Sequence, residues 1–221
     1  MRKQLLNLIS QNRERKYLNN INFIIISNNC WGFSLYKTLK REYNTPFIGL
    51  YLYPDCYLKY LENFDYYSSK PISFKENSKY FSEEVSYPIG CIDNDIEIHF
   101  LHYDSKEDAY DKWNRRLARM KNDIRNKTPI FLKFCDSEKA TLSHLARFHN
   151  LPFENKLSIG LTKYNSKCHF YTPKLQQANS NEIINGLALF RKRYHYFDIT
   201  TWIIDKDCRK TLFSKLVSLI K

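Results

Sequence analysis

Glycine is scarce in this chain: five residues in 221, at positions 32, 49, 90, 160 and 186, each expected to answer a backbone need. Neither a GxGxxG turn nor a GxxxxGK[ST] loop is present. Neither a standard dinucleotide site nor a P-loop is therefore supported. Among the six cysteines the closest pair, Cys30 and Cys56, is separated by 26 positions, so there is no CxxC knuckle or redox motif. Several lie beside strand-like runs, where a free thiol behaves as a small apolar residue, and the expected state is reduced. The histidines also lack metal spacing. His99 and His102 point to opposite faces of a strand, and His144 and His149 are five apart on a helix. No metal site is expected and no cofactor is assigned. No apolar run reaches the length of a membrane span. The basic start MRKQLLNLISQNRERKYL breaks its short apolar stretch with asparagine, against a signal peptide. The expected setting is cytoplasmic, free or peripheral at the inner membrane face.

What the chain has is apolar and aromatic mass, 43% and 16%, enough for a sizeable core and incompatible with global disorder. Its net charge of +12 invites a polyanion partner. The lysines are spread along the chain, however, within the Lys, Asn, Ile and Tyr bias of an AT-rich coding sequence. A solvated basic surface outweighs a nucleic-acid face, and no stable nucleic-acid partner is expected. The best nucleic-acid-like stretch, Arg191 to Tyr196, also reads as the cationic close of a helix.

Periodicity predicts helices over 2–18, 31–42, from Pro54 through 67, 105–123, 137–150, near 180–193 and 210–220. It predicts strands at 22–27, 46–52, 72–74, 129–136 and 155–161, with a hairpin turning at Asp93-Asn94-Asp95. The alternation gives an α/β layered sandwich with a mostly parallel, Rossmann-like sheet interrupted by a central hairpin. One domain over 1–221 is expected, with 172–221 as a C-terminal helical annex.

In open α/β sheets ligands bind at the carboxyl ends of strands, near helix N-termini. The elbow SNNCWG occupies that place: Ser27, Asn28 and Asn29 either cap the helix or donate to a phosphate or sugar. Asp136, at the end of the strand IFLKFC, is placed to accept a sugar hydroxyl or act as base, or simply to cap a helix. His99 is in phase with Asp93, Asp95 and Glu97, an acid/base or divalent-metal cluster or, as the expected reading, the solvated face of a hairpin beside a turn. On the helix KWNRR, the spacing of Tyr110, Trp113, Leu117 and Met120 is that of a core stripe, and Arg115 and Arg116 offer guanidinium forks for phosphate or carboxylate.

The words SNNCWG, YPIG, IHFLHY and KWNRR, in that order, resemble an uncharacterised bacterial family associated with exopolysaccharide or capsule biosynthesis, over roughly residues 20–160. The run HFLHYDSKEDAYDKWNRR is its most specific part. The family pattern has a second glycine where this chain has Phe33, which bears on any glycine-dependent contact there. The resemblance implies an α/β fold and a link to surface glycans, and supplies no catalytic residues. The first functional expectation is a transferase moving a glycosyl or acyl group from a nucleotide-sugar or acyl donor to a glycan acceptor. Ser27, Asn28, Asn29, Arg115 and Arg116 would hold the donor, and Asp136 or His99 would supply acid/base chemistry. That reading requires the elbow and the two arginines to share one crevice. The alternatives are a scaffold of the same pathway without chemistry, and a basic RNA-binding protein.

Overall fold

The computed structural model describes residues 2–137, 139–178 and 180–209; the helix expected at 210–220 lies outside them. Helix α1 (Arg2–Leu18) leads to β1 (Ile24–Ser27) and α2 (Trp31–Leu39). Helices α3 (Pro54–Glu62) and α4 (Phe64–Ser69) precede β2 (Ile72–Lys75), β3 (Ile89–Ile92) and β4 (Ile96–His99). Then come α5 (Lys106–Arg125), β5 (Ile130–Cys135), α6 (Leu142–Asn150), β6 (Asn155–Gly160) and β7 (His169–Tyr171). The described chain ends with α7 (Gly186–Arg191) and α8 (Ile199–Asp205), joined by a short 3₁₀ turn at Arg193–His195.

The class is α/β, as expected. Strands β1, β5, β6 and β7 form a parallel sheet in that order. Ile24 lies opposite Ile130, and Phe131 opposite Asn155. The hairpin turns through left-handed Asp93 and Asn94 (φ 53° and 52°). It interrupts the parallel sheet in sequence only, because β2, β3 and β4 make a separate antiparallel sheet.

The strand expected at 46–52 does not form. Gly49 sits at φ +71°, and Pro46 has no N–H to give a ladder. The segment instead tethers the two sheets. Leu52 N donates to Asn28 O at 2.9 Å, while Tyr51 and His99 exchange backbone bonds of 2.8 and 2.9 Å. The helix expected near 180–193 shortens to α7, because Gln176 and Ile183 pair across a bridge just before it.

Strand alternation divides the core in two. Ile24, Ile26, Leu132 and Phe134 face Leu58, Trp113, Met120 and Phe148. Ile25, Phe131, Leu157 and Ile159 face Trp31, Leu35, Phe190 and Trp202. Each such side chain, fully buried, contributes roughly 1.5–3 kcal/mol. The C-terminal segment thus enters the second core through Ile183, Phe190, Phe197 and Trp202.

Two local expectations are corrected. Tyr110 is 47% exposed and Ala109 takes the core position, so the buried stripe of α5 is Ala109, Trp113, Arg116, Leu117 and Met120. The 191–196 stretch does close a helix, with Arg191 in the last turn of α7 and Lys192 as its C-cap, while Arg193 is buried in a bidentate pair with Glu14 of α1 (2.5 and 2.7 Å). Finally, the cysteines are not all reduced: Cys168 and Cys208 are disulfide-bonded with their Cα atoms 5.2 Å apart. Spacing rules see only local motifs, and this pair is 40 residues apart in sequence.

Candidate functional site

Strands β1 and β5 are neighbours and parallel, so both exit at the same end of the sheet. Asn28 and Asn29 follow one strand; Asp136 and Ser137 follow the other. A cleft of about 280 Å³ opens there. Its floor and one wall are Asn29, Cys30 and Ser137, its second wall is Tyr51, Leu101 and His102, and its third is Gln177, Glu182, Ile183 and the Asn185–Leu187 start of α7. A larger groove of about 460 Å³ runs between α4 and α5, and no strand-exit residue lines it.

The elbow residues divide into structure and presentation. Asn28 extends the sheet with its side chain: Oδ1 accepts from Cys135 N at 3.0 Å and Nδ2 donates to Cys135 O at 3.2 Å. It is fully buried and has nothing left to offer a ligand. Ser27, also fully buried, donates to Asn29 Oδ1 at 3.4 Å. Asn29 is the member that lines the cleft. Its Oδ1 accepts from Ser27 Oγ, from Trp31 N at 3.1 Å and from Lys133 Nζ at 3.0 Å. Three donors on one oxygen fix the amide orientation, and Nδ2 donates to nothing among the described residues.

Lys133 was not legible as a site residue, although a lysine inside IFLKFC is the signal that marks it. It is fully buried on the same strand face as Phe131 and Cys135, with its Nζ 5.9 Å from the Trp31 ring centroid. Burial pulls its pKa below the ordinary lysine range, against the opposing pull of Cys135, Asp136 and Cys30. Burial also pushes the Cys30 thiol up to about 11, with Lys133 opposing. Cys30 is therefore protonated at neutral pH, and with Ser27 enclosed neither is an activated nucleophile.

Asp136 staples the exits of β5 and β6. Its two oxygens accept from Leu161 N at 3.0 Å and Thr162 N at 2.7 Å. Gly160 makes room for it, since a Cβ there would stand 1.9 Å from the carboxylate carbon. This is the side-chain ladder of Asn28 repeated one strand over.

His99 is buried behind Tyr51 and does not line the cleft. Its Nε2 lies 3.0 Å from Glu97 Oε1, and the rings of Tyr53, Phe81 and Tyr87 surround it at 5.3–5.8 Å. Burial raises the Glu97 carboxyl, but His99, Lys75, Ser78 and the Lys79 amide together bring it down to about 2. The hairpin face is thus not solvated at Glu97 and His99, while Asp93 and Asp95 bind Tyr66, Tyr67 and Lys59 at the tip.

Arg115 and Arg116 do not share the crevice. Arg116 lies on the buried stripe of α5, donates to Tyr103 Oη at 2.6 Å and stands 4.9 Å from the Tyr43 ring centroid. Arg115, one position before it, is exposed. The histidine on the cleft wall is His102. Gly49 positions it, since His102 N donates to Gly49 O at 3.1 Å and the two backbones approach closely.

Fold and site together define an α/β protein with a cleft at the carboxyl ends of parallel strands, next to the N-terminus of α2. The chain belongs to the family described as "Domain of unknown function (DUF1919)", which matches residues 1–204. It is also similar to a protein of Haemophilus influenzae named "Uncharacterized protein", 34% identical over 197 residues, covering 88% of this chain and 89% of that one.

Proposed function

We propose that the cleft binds the anionic leaving group of an activated donor, and that the protein transfers the donor's glycosyl or acyl group in bacterial exopolysaccharide assembly. One observation carries the donor reading: Asn29 lines the cleft while Lys133, Trp31 and Ser27 hold its amide oxygen, which leaves its nitrogen without a partner among the described residues. The pathway comes from the resemblance of SNNCWG, YPIG, IHFLHY and KWNRR. An amide donor, a helix N-terminus and a buried ammonium form a positive local field suited to phosphate oxygens. His102 and Glu182 line the cleft and are the side chains there that suit proton transfer near neutral pH. In this reading His102 takes the acceptor's hydroxyl proton as the new bond to oxygen forms, and the donor's bond to its anionic leaving group breaks toward Asn29.

Specific stabilisation of the folded state raises the melting temperature in proportion to the logarithm of ligand over Kd. A panel of nucleotide sugars and acyl-CoA should therefore include at least one compound that stabilises the wild type, and Asn29→Ala should lose that stabilisation. A panel without effect on the wild type sinks the donor reading. A second reading, a pathway scaffold without chemistry, is favoured by the absence of an activated nucleophile at Ser27 or Cys30. Donor binding without turnover by any glycan acceptor would support it.

A further inference from the structure

We propose that Lys133 is a positioning residue whose buried ammonium selects a phosphate-bearing ligand at Asn29 and the first turn of α2. The inference rests on the donor reading and names its ligand chemistry. Lys133 is fully buried, yet no carboxylate pairs with it among the described residues, and its one hydrogen bond goes to Asn29 Oδ1 at 3.0 Å. Buried cations are ordinarily paired, because an unbalanced one costs several kcal/mol. The opposite charge has a place to enter. Asn29 is the wall between Lys133 and the cleft, and an ammonium on its oxygen polarises its nitrogen as a donor. Next to it stands the N-terminus of α2, nine residues long, whose Trp31 N–H is taken by Asn29 Oδ1 and whose dipole adds positive field. A volume of about 280 Å³ suits a sugar phosphate or pyrophosphate head better than a whole dinucleotide.

The test uses the full chain with pyrophosphate and UDP as probes, measured by calorimetry and by thermal melting. Lys133→Met removes the unbalanced charge but keeps an unbranched buried side chain. It should melt at or above wild type and bind both probes on the order of tenfold more weakly or worse. Asn29→Asp supplies the missing carboxylate within the chain; it should also melt higher and lose probe binding. Wild-type affinity in Lys133→Met would overturn this inference while leaving the donor reading intact. If Lys133→Met does not fold, Asn29→Asp that binds pyrophosphate like wild type overturns it instead. A wild type that binds neither probe overturns this inference, and the donor reading falls with it only if the nucleotide-sugar and acyl-CoA panel is also without effect.

Discussion

Asn28 and Asn29 are consecutive amides that meet different partners because the strand exit turns them apart. Asn28 completes the sheet against Cys135, and Asn29 faces the cleft. Asn28→Ala should therefore act on stability: it strands a buried N–H and C=O of β5 and should cost about 2–4 kcal/mol in urea unfolding. A loss below 0.5 kcal/mol would show that the side-chain ladder is not structural. Titrating groups supply a second expectation. Burial, then His169 and Lys156, holds His149 down to about 4, and Glu97 is held at about 2. In both cases the unfolded chain binds protons more readily than the folded one, so stability falls as pH falls. The His149 contribution is complete above about 6.5 and disappears toward pH 4; the Glu97 contribution disappears from about 4.5 toward 2. His149→Gln should flatten the urea midpoint between pH 6.5 and 4 relative to wild type, and an unchanged slope there would refute the assignment. At this scale the sequence marked the elbow and Asp136 but not their roles. A side chain that caps, ladders or binds has the same identity, and only its neighbours in space decide. Lys133 was legible as an anomaly, one cation in an apolar strand, and was read as part of the strand.

Among elements, the strands and helices with strong local signals were legible. Helix α5 starts where Ser105 accepts from Asp108 N at 3.1 Å, and the hairpin turns at the predicted Asp-Asn pair. The segment 46–52 was not legible, because it is apolar enough for a strand while its backbone bonds are divided between the two sheets. Strand β7, three residues long, and α8, seven residues long, carry too little periodicity to register. The start of α7 closes the cleft by close approach: a Cβ on Gly186 would stand 2.7 Å from Asn29 Oδ1 and 2.8 Å from Trp31 N. Gly186→Ala should displace the Asn29 amide, abolish donor-dependent stabilisation and lower the melting temperature of the free protein. Unchanged donor binding in that variant would separate α7 from the site.

For the whole molecule, the class was legible from alternation, whereas the separation of the antiparallel sheet and the Cys168–Cys208 bond depend on contacts distant in sequence. The disulfide closes a loop of 40 residues, which in the chain-entropy account stabilises by about 4 kcal/mol. Reduction should lower the melting temperature, and Cys168→Ser with Cys208→Ser should remove that response; equal melting with and without reductant would exclude the bond as a stabiliser. The cleft draws on both ends of the chain and on both sheets, through Asn29, His102 and Gly186. The most direct measurement is a crystal structure of the protein with a nucleotide sugar. The account predicts phosphate density against Asn29 Nδ2 and the first turn of α2, in front of Lys133; a donor seated on the exposed face of α5 at Arg115, with the cleft empty, would contradict it.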